Sequence, residues 1–287
     1  MNARHQLQLR LAPWALLAVS ASWGLAFVVM KDAIVRQDVM SFLTTRFALA
    51  VLVMLAIRPQ VIRLINKDLL LKGVAAGLFL GTGYIFQTLG LARTGAAITG
   101  FVTGLYVVLT PLIAAIIFKE KISKLTWFCV FLATIGLALL SLRGWSVGVG
   151  ELLVFVSAIA FAAHIVSLSR WSSGRDAYAM TIVQLAACGV LTGSISLAQG
   201  YNRPPDAGVW AVVIFTAVFA TAIAFMVQTW SQAHMSSTKV AVILTMEVVF
   251  SAFFAVLIGG ETLTLQILLG GALVLTAMYL IVIREQK

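Results

Sequence analysis

Long runs of apolar residues dominate the chain, and short segments between them carry most of its charged positions. A helix needs about 20 mostly apolar residues to cross the hydrocarbon core of a bilayer, and most of these runs reach that length. The alternation of apolar and polar residues that marks the strands of a membrane β-barrel does not occur in them. The pattern therefore predicts ten transmembrane helices, at residues 12–30, 39–57, 70–91, 95–118, 125–142, 149–169, 177–198, 208–230, 237–258 and 262–283.

The composition agrees with this pattern. Of the 287 residues, 61% are hydrophobic and 10% are charged, whereas a soluble domain carries about 25% charged residues. The net charge of +10 would suit nucleic acid, but the basic residues lie between apolar runs and not on a soluble domain. We therefore expect an all-α, multi-pass protein of the bacterial inner membrane, with the lipid bilayer and not nucleic acid as its surroundings.

Lysine and arginine are unevenly divided between the two sides that the ten spans define. With the N-terminus inside, 14 of the 20 fall on the cytoplasmic side and 5 on the outer side, while Arg46 lies within the second span. Cytoplasmic segments of membrane proteins are enriched in these residues. Both termini are therefore predicted to be cytoplasmic.

The second half of the chain repeats the first. Residues 87–142 align without a gap with residues 228–283, and 10 of the 56 aligned positions are identical. Each half holds five predicted spans, and an odd number makes the second half enter the membrane from the opposite side. The sequence thus predicts two inverted five-helix repeats, at 1–145 and 146–287, an architecture typical of secondary transporters.

Glu247 is the most informative single residue, because it lies near the middle of a predicted span. A charge at that depth costs at least about 2.5–3.5 kcal/mol, so such a residue usually faces a bundle interior or a water-filled cavity. One helical face of this span carries it together with Val240, Leu244 and Ser251. The equivalent face 141 residues earlier carries Thr99, Thr103, Tyr106 and Thr110.

Several other polar and aromatic residues within the spans are candidates for the same cavity. With Glu247, the predicted substrate-binding set is Tyr106, His164, Trp23, Tyr84, Gln87, Gln228, Thr103 and Ser251. Each has a structural alternative: the glutamines and threonines can join helices by hydrogen bonds, and the aromatic rings can simply pack. Glu247 and His164 can also pair with each other and only hold helices together.

Two further residues within spans suggest roles other than substrate binding. Pro111 removes a backbone hydrogen bond from its helix, so it either provides a kink for gating or fits a curved bundle. Arg46 lies in a span expected to be peripheral, and a structural ion pair or snorkelling to the interface is the favoured interpretation.

A set of short motifs in a fixed order resembles the drug/metabolite transporter superfamily, specifically its ten-helix EamA-type members. The resemblance covers nearly the whole chain, although Ala252 stands where the family has a proline. It implies exporters of small metabolites, above all amino acids, with a cavity lined by spans 1, 3, 4, 6, 8 and 9. The motifs are Ser22-Trp23-Gly24, Arg46-Phe47, Gly83-Tyr84, Leu109-Thr110-Pro111-Leu112, Lys119-Glu120-Lys121-Ile122-Ser123 and Gly259-Gly260-Glu261-Thr262-Leu263-Thr264.

The sequence therefore predicts a secondary transporter that exports small metabolites, above all amino acids, with hydrophobic or aromatic ones among the candidates, by alternating access. Glu247 would bind the ammonium group, Tyr106 and the threonines the carboxylate, and Trp23 the side chain. The alternative within transport is a proton-coupled efflux pump for cationic drugs or amines, and a passive channel also stays open. No cofactor is expected, and no catalytic set such as paired acids with a metal indicates an enzyme.

Overall fold

The computed structural model of the chain describes residues 3–118, 123–143, 146–234 and 243–284. Its first half contains six helices, a 3₁₀ turn at Pro59–Leu64 and a two-residue strand, β1, at Leu142–Arg143. The helices are α1 (Ala3–Arg36), α2 (Val39–Ile57), α3 (Lys67–Leu91), α4 (Ala96–Gly104), α5 (Tyr106–Phe118) and α6 (Lys124–Ser141).

The second half begins with a two-residue strand, β2 (Ser146–Val147), that pairs antiparallel with β1. A π-helical turn at Val218–Ile223 joins two of its helices. The helices are α7 (Val149–Trp171), α8 (Ala177–Gln199), α9 (Ala207–Ala217), α10 (Ala224–His234), α11 (Met246–Leu257) and α12 (Leu265–Arg284).

The helical membrane architecture is as predicted. Within the described residues, seven helical segments are long and apolar enough to cross a membrane, and three apolar helices are shorter. The seven are Leu11–Arg36, Val39–Ile57, Lys67–Leu91, Ala96–Ile117, Val149–Trp171, Ala177–Gln199 and Ala207–Ser231. The three shorter helices are Lys124–Leu140, Met246–Leu257 and Leu265–Leu280.

The first helix is longer than its predicted span. It begins at Ala3, whereas the apolar run begins near residue 12. The preceding segment is rich in arginine, glutamine and leucine, which are good helix formers, so the helix continues beyond the apolar stretch.

Four helices begin with the same capping arrangement, at equivalent places in the two halves. Asp38 accepts a hydrogen bond from the backbone N–H three residues on at the start of α2, and Asp176 does so at the start of α8. Asn66 caps α3 and Asp206 caps α9 in the same way. Such caps satisfy backbone donors that a helix start leaves free, so they fix where each helix begins.

Asp206 also takes part in a charged cluster at the end of α1. Its carboxylate lies 2.6 Å from the Arg36 guanidinium, which also contacts Asp32. The backbone N–H of Val209 and the nearby Arg36 hold the pKa of Asp206 below its ordinary value. Asp206 therefore stays ionised at neutral pH and ties the start of α9 to α1.

Glycines allow the helices to pack at close range. A Cβ atom added at Gly77 of α3 would lie 2.5 Å from the Gln184 carbonyl oxygen of α8. One added at Gly24 of α1 would lie 2.6 Å from the backbone nitrogen of Ser251 in α11. These two contacts hold α3 against α8 and α1 against α11, and both pairs flank the site described next.

Candidate functional site

A cavity lies between the helices of the two halves. Side chains from α1, α3, α4, α5, α7, α10 and α11 line it, and one side chain of α2 reaches it as well. The centre of a water molecule can reach about 50 Å³ of its interior. That space holds a few waters, each of which needs about 10–15 Å³, so a larger molecule enters only if helices move apart.

Glu247 lies in the first turn of α11 and projects into this cavity. It is 5% exposed, and its carboxyl makes no hydrogen bond or ion pair with any described residue. The structural alternative, a pairing with His164, is not what the structure has: His164 Nε2 lies 2.7 Å from the Gln184 Oε1 of α8. A buried carboxyl without a partner in the described part of the chain is the feature most in need of a functional explanation.

The equivalent position in the first half, Tyr106, is built in a similar way. It lies just after an interruption at Leu105 that separates α4 from α5, and Glu247 lies two residues after an interruption at Thr245. The Tyr106 hydroxyl is buried and has no hydrogen-bond partner among the described residues. The two halves therefore bring an acid and a phenol to the cavity from irregular points of matching helices.

Two glutamines at equivalent positions also face the cavity. Gln87 Nε2 donates to Thr103 Oγ1 at 3.1 Å, which joins α3 to α4. Gln228 in α10 presents a buried Oε1 atom that has no partner among the described residues. One glutamine is thus used for helix contact, while the other retains an acceptor at the cavity.

Aromatic rings form one wall of the cavity. Phe225 of α10 lies at the centre of this wall, with ring centroids 5.6 Å from Trp23 and 6.0 Å from Tyr84. Phe161 of α7 packs edge-on against Tyr84 at 5.5 Å, and His164 lies 6.2 Å from Phe225. Such a wall offers a large apolar surface to the side chain of a bound molecule.

Arg46 is the one cavity residue that α2 supplies. It is 1% exposed, and its guanidinium lies over the Tyr84 ring at 4.7 Å. Nε donates to Thr221 Oγ1 at 2.7 Å, and Nη2 donates to the Ala220 carbonyl at 3.3 Å. The assignment to a peripheral ion pair or to snorkelling is wrong, because no described carboxylate pairs with Arg46 and its charged end points inward.

The acceptors of Arg46 belong to the π-helical turn between α9 and α10. Trp23 Nε1 also donates to the Ala220 carbonyl, at 2.9 Å. A π turn accommodates one extra residue in a helix. The caps Asn66 and Asp206 are 140 residues apart, whereas Gln87 and Gln228 are 141 residues apart. The segment from Asp206 to Gln228, which contains the π turn, is therefore one residue longer than its counterpart in the first half.

Ser251 and Pro111 lie away from the cavity lining. The Ser251 hydroxyl donates to the Val248 carbonyl within α11 and packs against Gly100 of α4. Pro111 lies in α5, five residues after Tyr106, and is half-buried. Val240, on the predicted face of Glu247, lies outside the described residues.

A known family of membrane transporters matches both halves of the chain. The model of the EamA-like transporter family matches residues 10–142 and matches a second time at residues 148–283, which together make up almost the whole chain. The chain belongs to the EamA-like transporter family. An EamA-like transporter with several membrane-spanning helices is a multi-pass protein of the cell membrane, as predicted.

Relatives of this EamA-like transporter come from archaea and bacteria. An uncharacterized transporter of Archaeoglobus fulgidus is 33% identical over 274 residues, 95% of this chain and 86% of the relative. The uncharacterized transporter sll0355 of Synechocystis is 25% identical and covers 92% of this chain and 87% of its own. One solved crystal structure has the same fold, with a TM-score of 0.66 and 18% identity over 94% of this chain and 95% of that chain.

The EamA-like transporter brings together eight of the nine predicted binding residues: Trp23, Tyr84, Gln87, Thr103, Tyr106, His164, Gln228 and Glu247. The residue that sequence reasoning misplaced is Arg46. Its position in the middle of an apolar run was a usable signal, since ionisable residues within spans usually face the protein interior.

Proposed function

We propose that this protein is a secondary transporter that exports small metabolites, with amino acids as the principal class, by alternating access. The observation that carries the proposal is the Glu247 carboxyl, which is buried, lines the cavity between the two halves and makes no bond to any described residue. A buried ionisable group without a partner is destabilising, and a cationic ligand or a proton would relieve that penalty.

The cavity has groups for both ends of an amino acid with an apolar side chain. Glu247 would bind the ammonium group, and the unpartnered Gln228 Oε1 atom is a further acceptor for its N–H groups. The unpartnered Tyr106 hydroxyl can donate a hydrogen bond to the carboxylate. The side chain would lie against the aromatic wall of Trp23 and Phe225. Groups of this kind bind and release a substrate without a chemical step, so we propose a transporter and not an enzyme.

The proposed architecture has ten spans in two inverted repeats, at 1–145 and 146–287, with both termini in the cytoplasm. Two observations support the repeat: the family model matches once in each half, and equivalent caps begin the matching helices. The excess of lysine and arginine on one side, 14 against 5, supports the orientation.

Alternating access requires that one side of the cavity is closed while the other opens. On the proposed outer side, Glu261 accepts hydrogen bonds from the backbone N–H groups of Ala96 at 2.6 Å and Ala97 at 3.2 Å. It also pairs with Lys31 at 3.1 Å, which joins α1, α4 and the segment before α12. Pro111 lowers the stiffness of α5 by removing one backbone donor, so this helix is the proposed bending element.

A proton is the proposed coupling ion, because the Glu247 carboxyl lines the cavity and has no cationic partner among the described residues. The same residue would serve a proton-coupled pump for cationic drugs or amines, which is the alternative function. Both functions are gradient-driven, and the substrate that the protein exchanges separates them.

Counterflow in reconstituted vesicles tests the proposal. Vesicles preloaded with unlabelled phenylalanine and free of ATP should take up labelled phenylalanine, with saturation and with stimulation by the internal pool. Exchange of lipophilic cations but of no amino acid would favour the alternative. Linear uptake without stimulation, or uptake that needs ATP, would overturn secondary transport.

A further inference from the structure

Arg46 brings a second buried charge to the cavity that contains Glu247. Arginine keeps its proton in proteins, so the guanidinium is a permanent positive charge. It is 1% exposed and lies among apolar helices, where an unpaired ion is strongly destabilising. The guanidinium therefore requires either an anion beside it or enough neutral hydrogen-bond acceptors to stabilise it without an anion.

The described residues supply only neutral acceptors, and most of them are weak. One short hydrogen bond reaches Thr221 Oγ1 at 2.7 Å. The contacts to the Tyr84 hydroxyl at 3.4 Å and the Ala220 carbonyl at 3.3 Å are long, and Met30 Sδ, at 3.4 Å, is a weak acceptor by its nature. The face of Tyr84 adds a cation–π contact, but no described residue adds a negative charge.

These contacts also fix the direction of the guanidinium. The bonds of Nε and Nη2 to the π-helical turn anchor one edge of its plane, and Tyr84 covers one face. Among the described residues, Nη1 has only the sulfur of Met30 as an acceptor, and the second Nη2 donor makes only the 3.4 Å contact to the Tyr84 hydroxyl. Nη1 and Nη2 can therefore turn these weakly used donors to a planar, two-oxygen group that enters the cavity, and a carboxylate matches that geometry.

Glu247 does not neutralise Arg46. Both residues line the same cavity, yet no ion pair joins them. A cavity with separated positive and negative groups disfavours a simple cation, which Arg46 would repel, and fits a molecule that carries both charges.

We propose that Arg46 is the carboxylate-binding residue of this cavity, and that its substrates are zwitterions with the ammonium group at Glu247 and the carboxylate at Arg46. This inference rests on the proposed transport function and narrows its substrate class. It replaces Tyr106 and the threonines as the carboxylate site. The π-helical turn then positions Arg46 and does not itself touch the substrate.

Three ligands with the same phenyl ring separate the two charges. Phenylalanine carries both, 2-phenylethylamine carries only the ammonium group, and 3-phenylpropanoate carries only the carboxylate. Their dissociation constants are measured on the purified wild-type protein and on Arg46→Gln. The variant should bind phenylalanine and 3-phenylpropanoate about tenfold or more weakly, because charge-assisted hydrogen bonds are lost. Its affinity for 2-phenylethylamine should stay the same or rise.

Two further variants keep the test decisive. Arg46→Lys retains the charge without the planar fork, so it should weaken the carboxylate ligands less than Arg46→Gln does. Thr181→Val is the matched control, because it removes a buried hydrogen bond between α8 and Thr229 away from the cavity. It should leave the relative affinities for the three ligands unchanged, even if thermal stability falls.

The results distinguish failure of this inference from failure of the proposed function. An equal loss for all three ligands in both Arg46 variants, or no wild-type affinity for either carboxylate ligand, would overturn the role of Arg46. Counterflow of 2-phenylethylamine by the wild type would then leave gradient-driven transport intact. Absence of counterflow for every ligand would instead overturn transport, whatever the binding constants show.

Discussion

Replacement of Glu247 by glutamine is expected to weaken the binding of 2-phenylethylamine and phenylalanine by about 10- to 150-fold. The substitution keeps the shape of the side chain and removes its negative charge. Hydrogen bonds to charged groups contribute about 1.5–3 kcal/mol, and each 1.4 kcal/mol corresponds to a factor of ten in affinity. Binding of 3-phenylpropanoate should stay the same or become tighter, since Arg46 holds its carboxylate and the repulsion from Glu247 is removed.

The same variant should change the dependence of binding on pH. An ammonium ligand needs the ionised carboxylate, so wild-type affinity for 2-phenylethylamine should rise as pH increases, and Glu247→Gln should abolish that rise. If Glu247 carries the coupling proton as well, the variant should also lose proton-driven accumulation. Equilibrium binding between about pH 5 and pH 8 measures the first effect, within the range over which the phenylethylamine nitrogen stays protonated.

A second buried acid provides the matched control. Glu151 in α7 is 1% exposed and accepts a hydrogen bond from Thr94 at 2.7 Å. It lines a separate apolar cavity beside α5 and α6. Glu151→Gln should leave ligand affinities unchanged. If the two variants have the same effect on binding, Glu247 has no direct role in recognition.

Replacement of Gly77 by alanine is expected to have the largest effect on stability. The added methyl group would lie 2.5 Å from the Gln184 carbonyl oxygen and 2.7 Å from the Ala187 Cβ atom. Both belong to α8, which would have to move away from α3. Overpacking of this kind typically costs about 1–3 kcal/mol, so the unfolding temperature in detergent should fall by several degrees.

Gly193 tests whether that loss comes from the contact and not from the residue type. It is also a buried helical glycine, in α8, but a Cβ atom there would meet its nearest neighbour, the Thr44 Cγ2 atom, at 3.5 Å. Alanine favours the helix over glycine by about 0.5–1 kcal/mol, so Gly193→Ala should be neutral or stabilising. Equal unfolding temperatures for the two variants would contradict the close packing of α3 on α8.

The sequence predicted an all-helical membrane protein because bilayer thickness sets a length that apolar runs reveal directly. It also placed Tyr106 and Glu247 at equivalent positions, because the gapless alignment of the two halves pairs the helical face of Tyr106 with that of Glu247. Ser251 shares a helical face with Glu247, but it does not line the cavity. It lies one turn beyond Glu247, where α4 approaches closely at Gly100, so this part of the face packs against α4.

The position of Arg46 could not be settled from its own span, since a mid-span arginine has both structural and functional explanations. What decides it is the π-helical turn of another helix, which provides acceptors at Ala220 and Thr221. A periodicity of 3.6 residues does not reveal a single inserted residue. The change of offset between the two halves, from 140 at Asn66 to 141 at Gln87, is the trace that the insertion leaves in the sequence.

Protection of a cysteine inside the cavity is the most direct test of the central claim, which is that transported molecules occupy this site. Thr103→Cys, with Cys129 and Cys188 replaced by alanine, places a thiol on the lining beside Gln87. A small water-soluble maleimide should label it in open membranes, and phenylalanine or another exchanged substrate should slow that labelling in proportion to its occupancy. A thiol at the exposed loop residue Tyr201 should be labelled at the same rate with and without substrate. Unchanged labelling of Thr103→Cys under saturating concentrations of a substrate that the protein demonstrably exchanges would contradict the claim.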